Sequence, residues 1–311
     1  MTKHLDDLEF SDLYIGENSA YIRGPSLNPN PQMIDFSVVE GLRHLCEVAI
    51  SKKDKGTDFA IEHDGTAYRG SLLDSIAGSV FVLRRQPSSV KKVSELIKTK
   101  QYIDALLTPE LKGLVLIVGE FGNGKSWTAS GIVAERLEKF GGVAATLEDP
   151  PELPLHGQHG SGICFQTHIE KDGFAQAIHS ASRWAPDILY FSELRDADSA
   201  NEALKAAQNG KLSLSTIHGN SPISGIERLF NLATSGSSGL SNHDDISSLM
   251  ANGLAIVLHQ KLERDGDHVI PKITWLSVNS EVSVKSLIKD RKWSHLQQEI
   301  NQQFNQLLYR G

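Results

Sequence analysis

Residues 114–126 read LVLIV followed by Gly119-Glu120-Phe121-Gly122-Asn123-Gly124-Lys125-Ser126, a short apolar run that enters a glycine-rich turn and ends on Lys-Ser. The turn satisfies G-x-x-x-x-G-K-[ST] in the required context, with a strand-like run before it and a helical pattern after it. Glycines in such a loop let successive backbone N–H groups wrap phosphate oxygens, and a helix starting at Lys125 adds positive potential at its first turn. The spacing predicts that the Lys125 ammonium reaches the β- and γ-phosphates of a nucleotide and that the Ser126 hydroxyl ligates Mg²⁺.

Downstream of this unit, apolar strands alternate with helical patterns: VAATL (143–147), DILYF (187–191), a helix, then LSLST (212–216). That alternation predicts an α/β domain whose parallel sheet is covered by helices on both faces. Residues 254–278 predict a terminal antiparallel hairpin turned at Asp265-Gly266, with helices after it. Hydrolysis needs carboxylates to order a metal and a water, and they belong at the carboxyl ends of later strands. Two such ends are acidic: Glu148-Asp149-Pro150-Pro151-Glu152 after VAATL, and Glu193-Leu194-Arg195-Asp196 after DILYFS. A third carries Thr216-Ile217-His218, where a neutral imidazole can sense a γ-phosphate.

Upstream, DLYIG (12–16) and AYIRG (20–24) flank Glu17-Asn18-Ser19, and FAIEH (59–63) and TAYRGSL (66–72) flank Asp64-Gly65, so both pairs predict hairpins. Between them Val38, Val39, Leu42, Leu45, Cys46 and Ala49 fall at helical spacing. These elements, closed by a strand over 80–83, predict a small α+β domain over 1–86. Pro87 and Ser88-Ser89 break the pattern, and six basic residues gather between positions 84 and 100, so a basic linker is expected over 87–107 and the larger α/β domain over 108–311.

The chain has 311 residues, enough for two domains of independent core, and its composition (40% hydrophobic, 22% charged) is that of a globular protein. Thirty-one basic against 38 acidic residues give a net charge of −7, which disfavours a surface built to grip a phosphate backbone. Two cysteines, Cys46 and Cys164, allow neither a disulfide framework nor a four-cysteine zinc site. The acidic N-terminus lacks the apolar core of a signal peptide, and no apolar run approaches the ~20 residues of a membrane span. A cytoplasmic protein is expected, with any membrane association peripheral.

Taken in order, four motifs resemble those of the secretion ATPase superfamily that drives type IV pili and type II and IV secretion, in particular its PilT-like branch and the DotB/TraJ-type ATPases of type IVB secretion and conjugation. GEFGNGKS resembles the Walker A loop, LEDPPEL the acidic Asp box, PDILYFSELRDADSANEALKAAQNG the Walker B region, and LSTIHGNSPISGIERL the His box. Outside them, SDLYIG, TAYRGSLL, FVLRRQP and VKSLIKDRK are similar to N- and C-terminal segments of the family, so the likeness covers nearly the whole chain.

The resemblance implies a RecA-like P-loop ATPase domain preceded by a PAS-like N-terminal domain, working as a hexameric ring on a membrane platform protein at the inner membrane. It implies that Gly119 to Trp127, the Walker A loop and the residue after it, hold ATP or ADP, that Ser126 and Glu193 serve Mg²⁺, that Glu148 polarises the attacking water, and that His218 couples phosphate state to movement. Arg69 and Arg84 match N-domain arginines that close onto nucleotide, with Arg85 able to replace Arg84 after a one-residue shift. Arg183 and Arg195 also align with family arginines. Three positions depart from the pattern: Ser192 replaces the glycine before the Walker B glutamate, Asn209-Gly210-Lys211 replaces Thr-Gly-His, and Trp127-Thr128 replaces a pair of small residues. Trp127 is expected to pack beneath the helix or to stack on adenine, packing being the favoured reading. The rival class is a RecA-like nucleic-acid motor, for which the basic run over 84–100 is the one supporting feature.

Overall fold

The computed structural model describes residues 5–24, 30–52, 57–169, 173–235, 242–265 and 268–310. They divide into two compact units, 1–89 and 90–311.

The first unit is one antiparallel sheet with a helix. Its strands are β1 (Asp12–Ile15), β2 (Ala20–Arg23), β3 (Gln32–Ile34), β4 (Asp58–His63), β5 (Thr66–Ser75) and β6 (Gly78–Arg85), in the order β3-β2-β1-β6-β5-β4. Both expected hairpins form, β1 against β2 and β4 against β5 around Asp64-Gly65. Asp64 and Gly65 both take positive φ, 50° and 75°, the geometry that a two-residue hairpin turn demands. Helix α1 (Glu40–Ser51) contributes Leu42 and Cys46 to a core with Leu13, Ile15, Tyr68, Phe81 and Leu83. The helical spacing in the sequence had that face, with Leu45 the exception at 38% exposed.

In the second unit the elements are α2 (Val93–Leu96), α3 (Lys100–Leu106), β7 (Gly113–Val118), α4 (Lys125–Phe140), β8 (Val143–Glu148), β9 (Gly157–His159), β10 (Gly162–His168), α5 (Phe174–Ala181), β11 (Ile188–Phe191), α6 (Ala197–Ala207), β12 (Leu212–Ile217), α7 (Pro222–Thr234), α8 (His243–Gly253), β13 (Leu254–Asp265), β14 (His268–Ser277), α9 (Val282–Lys289) and α10 (Leu296–Arg310). An eight-stranded sheet runs β14-β13-β7-β12-β11-β8-β10-β9. The pairs from β13 through β10 are all parallel, and only the outermost strands β14 and β9 run antiparallel to their neighbours. The expected terminal hairpin is β13–β14, and the Gly266 half of its turn lies outside the described residues.

Strand β7 is buried on both faces, which is why its sequence is a continuous apolar run instead of an alternating one. Leu114, Leu116 and Val118 enter one core with residues of α5 through α9. Val115 and Ile117 enter the other, with residues of α2, α3 and α4.

The segment expected as a linker, 87–107, carries two helices whose apolar residues belong to this second core: Val93, Ile97, Tyr102 and Leu106 are buried there. The division between the units falls at Ser89, ahead of most of that stretch. Its basic residues stay at the surface, where Lys92 Nζ meets Glu138 at 2.8 Å, while the intervening apolar residues enter the core shared with β7 and α4. Tyr102 stacks on Trp275 with ring centroids 4.6 Å apart, and the buried Arg136 donates from Nη1 to the carbonyls of Leu106 (2.6 Å) and Thr108 (2.8 Å). Burial lowers the Arg136 pKa to about 10. The closest approach is at Gly131 of α4, where a Cβ would stand 2.7 Å from the carbonyl oxygen of Lys91 and 3.0 Å from the Val93 nitrogen. Because those atoms are backbone, a side chain at 131 cannot be relieved by a rotamer change. Gly131→Ala is expected to cost about 1–3 kcal/mol of stability, overpacking outweighing the gain in helix propensity; a denaturant titration measures the loss, with limited proteolysis locating new cleavage in 90–107.

Candidate functional site

The sheet order makes neighbours of the residues that the sequence scatters. β7, β12, β11 and β8 lie side by side and parallel, so the loop after β7, His218 after β12, Glu193 after β11 and Glu148 at the end of β8 share one carboxyl edge. Ligands in open α/β sheets bind at that edge.

The phosphate loop has the backbone its glycines permit. Gly122 and Gly124 take φ of 77° and 74°, a left-handed region in which L-residues are strained. Gly119 is required for a different reason: a Cβ there would lie 2.6 Å from the carbonyl oxygen of Gln260 on β13. Lys125 turns back over the loop and donates from Nζ to the carbonyls of Gly119 and Glu120, both at 2.9 Å. Burial pulls its ammonium pKa below the ordinary value, and the carboxylates of Glu193 and Glu152 oppose that shift. Phe121 stands out from the loop at 89% exposure. Trp127 is half-buried, with Lys91 Nζ 5.9 Å from its ring centroid. Beside the loop an open cleft of about 770 Å³ is lined by Phe121, His218, Glu227 and Arg228, among others.

The acidic strand ends differ in how they are held. Glu148 is 2% exposed, and its Oε1 accepts from Thr146 Oγ1 at 2.7 Å and Gln166 Nε2 at 2.8 Å. Burial is the largest influence and raises its carboxyl pKa. Glu193 is bound at both oxygens, Oε2 to Arg195 Nε at 2.9 Å and Oε1 to His218 Nε2 at 3.2 Å. Arg195 also reaches Asp149 Oδ2 at 3.5 Å. One guanidinium therefore connects the Asp-box and Walker-B strand ends, and one carboxylate connects the latter to the His-box strand end. Arg183 sits exposed in a short 3-10 turn at Ser182–Trp184.

Arg69 and Arg84 belong to the first unit, where they are cross-strand partners on β5 and β6. Arg84 is exposed and its Nε meets Asp12 Oδ1 at 2.8 Å. Arg85 turns inward instead, over the Phe10 ring at 5.5 Å.

Gln166, Tyr190 and Gln260 take roles that no motif assigns them, and Glu152 of the acidic run joins them at the site. Gln166 on β10 ties Glu148 to the carbonyl of Leu153 (2.7 Å) and accepts from the Leu155 and His156 N–H groups, so it organises the whole loop after β8. The fully buried hydroxyl of Tyr190 is hydrogen-bonded to the Ser126 and Ser130 hydroxyls, and its pKa is pushed well up by burial. Glu152 lies within electrostatic reach of Lys125. Gln260 contacts the phosphate loop directly. The signals in the sequence were Glu152's place in the acidic run 148–152 and a polar Gln260 just beyond the apolar run 254–258. Lys211, by contrast, stands at the amino end of β12, on the opposite edge from the loop, where its Nζ lies 3.4 Å from Asp187 Oδ1. The histidine missing from that position is a change away from the loop, not in it.

Residues 53–305 match the family of type II/IV secretion system proteins. The chain belongs to that family. It is 30% identical over 249 residues to the Escherichia coli K12 protein described as uncharacterized protein YggR, an alignment covering 80% of this chain and 74% of that one. It is 30% identical over 211 residues to the Pseudomonas aeruginosa type IV pilus retraction ATPase PilT, covering 66% of this chain and 58% of the relative, so it spans less than two thirds of that protein. The solved structure of the pilus retraction motor PilT with bound ADP superposes with a TM-score of 0.80 at 21% identity, covering 98% of this chain and 91% of that one, and confirms a RecA-like domain behind an N-terminal domain. Among the described residues no helix is long and apolar enough to cross a membrane.

Because Glu148 is raised, the folded state holds its proton to higher pH than the unfolded chain does. Its ionisation costs stability, a cost absent below the unfolded pKa and growing as pH rises through the folded one. Glu148→Gln keeps the acceptor used by Thr146 and Gln166. It is expected to match wild-type stability at about pH 4 and exceed it at about pH 8; denaturant titrations at both values measure the difference.

Proposed function

We propose that this family member is a motor ATPase that hydrolyses ATP to ADP and phosphate to power a type IV pilus, secretion or conjugation machine. The observation that carries the reading is the shared carboxyl edge: a phosphate loop, two glutamates and a histidine on four adjacent parallel strands, with Glu193 and His218 already paired at 3.2 Å. Two of the matching relatives are described as pilus ATPases or motors, one with ADP bound.

The chemistry of the edge fits a magnesium nucleotide. The loop offers N–H groups at a helix start, and Mg²⁺ is ordinarily held by one or two protein oxygens together with substrate phosphates rather than by a protein cage. Ser126 and Glu193 are the oxygens that would hold it, and when bound it neutralises charge on the phosphates. Lys125 leaves the two carbonyls it now contacts to meet phosphate oxygens. Glu148, held by Thr146 and Gln166, orients and deprotonates the attacking water, and its raised pKa suits that task. Glu193 exchanges its bond to Arg195 or His218 as the site fills, so His218 senses the change. Catalysis of this kind is mostly positioning and charge stabilisation.

Six copies in a ring, docked peripherally on an inner-membrane platform protein from the cytoplasmic side, form the working assembly in this reading. Arg69 and Arg84 are the arginines that the family resemblance assigns to nucleotide. Lys125→Ala is expected to abolish nucleotide binding, and Glu193→Gln to keep binding while losing phosphate release at least a hundredfold, about 2.7 kcal/mol of barrier. Wild-type turnover in Glu193→Gln overturns the assignment. Stimulation of phosphate release by DNA, and none by a membrane platform protein, replaces the secretion motor with a nucleic-acid motor.

A further inference from the structure

Strand β13 outruns its neighbour. β7 ends at Val118, paired with His259, and the next residue of β13, Gln260, comes level with the phosphate loop. Gln260 is 3% exposed, and both ends of its amide are spent on the loop and the helix behind it. Nε2 donates to the Asn123 carbonyl at 2.7 Å, and Oε1 accepts from the Thr128 hydroxyl at 2.6 Å. Its own carbonyl oxygen lies against Gly119, and two residues on the Leu262 N–H donates to Asn123 Oδ1 at 3.0 Å. One strand residue thus touches the loop at its first glycine, at its tip and at the first turn of α4.

The groups it takes are informative. Gln260 takes a loop carbonyl and a helix hydroxyl, Leu262 takes the Asn123 side-chain oxygen, and none of the three is a loop N–H. The brace and a phosphate do not compete for donors. A loop with three glycines has many backbone states when free, and ordering it on ligand binding would be subtracted from affinity. A buried amide that fixes the loop during folding removes that cost beforehand.

We propose that Gln260 is a positioning residue that sets nucleotide affinity by holding the phosphate loop in its binding conformation. The proposal rests on the nucleotide-binding reading above. Gln260→Leu removes both side-chain bonds and leaves the buried Thr128 hydroxyl and Asn123 carbonyl unpaired. It is expected to raise the nucleotide dissociation constant on the order of tenfold or more, with KM rising by a similar factor and kcat at saturation little changed. Gln260→Met, of similar length and uncharged, also removes both bonds and is expected to weaken binding alike. Thr128→Val weakens binding and Thr128→Ser restores it.

The experiment is titration of a fluorescent ADP analogue into the full chain, for wild type, these variants, Lys125→Ala, and Ile288→Ala, a core substitution on α9 that lowers stability without touching the loop. The proposal holds if Gln260→Leu or Gln260→Met binds weakly while Ile288→Ala, at equal or greater loss of thermal stability, binds as wild type. Wild-type affinity in both Gln260 variants overturns it, as does equal weakening in Ile288→Ala, which would make the effect one of general stability. Absence of binding by wild type, or undiminished binding by Lys125→Ala, instead overturns the nucleotide reading itself. Should Gln260→Leu fail to fold, Gln260→Met and the Thr128 pair decide the matter alone.

Discussion

Phosphate oxygens are held by backbone only when several N–H groups converge on one point without being paired to anything else, and a chain can present them only if something other than those N–H groups keeps it in place. In this protein the support is strand β7, buried on both faces and flanked by parallel neighbours on either side. Its apolar run, the glycines that follow it and the helix they open into are one mechanical unit. Everything else at the carboxyl edge is arranged with respect to it: β12, β11 and β8 on one side bring the ionisable residues, and β13 on the other brings the brace.

The charges at that edge form a chain across strand ends. His218 meets Glu193, Glu193 meets Arg195, and Arg195 meets Asp149. Since the chain of contacts joins the ends of three neighbouring strands, β12, β11 and β8, no member can change partner without altering the others. Glu148 stands apart, sealed by Thr146 and Gln166. The two glutamates therefore have unlike surroundings, one buried with its pKa raised and one engaged with Arg195 and His218, and unlike surroundings are what divide labour between like carboxylates.

How much of this could be read from residues alone follows from the range of the forces involved. Phosphate-loop spacing is local, and so are the hairpin turn at Asp64-Gly65 and the apolar runs of β7, β8, β11 and β12; all were legible. Strands β9 and β10 were not, because β10 lies near the sheet's edge, alternates buried with exposed residues and opens on Gly162 between short polar segments. The stretch over 90–107 reads as basic and exposed until Val93, Ile97, Tyr102 and Leu106 are seen to enter the core that also holds residues of β7 and α4. Tyr190, Gln166 and Gln260 act through contacts that span up to 137 residues of sequence, as between Gln260 and Asn123, and no local pattern encodes a pairing of that separation. The motifs named the chemistry, while the supporting hydrogen bonds came only from topology.

Helix α4 is enclosed along most of its length. Residues 128–134, with Arg136 and Leu137, are buried, since the sheet covers one side and the segment from Val90 onward the other, close enough at Gly131 to exclude even a methyl group. A rod clamped on opposite sides neither slides nor rolls. The helix that carries Lys125 and Ser126 is accordingly a stator, and whatever shape change follows a chemical event at its first turn has to be expressed by the strand-end loops that bear Glu148, Glu193 and His218.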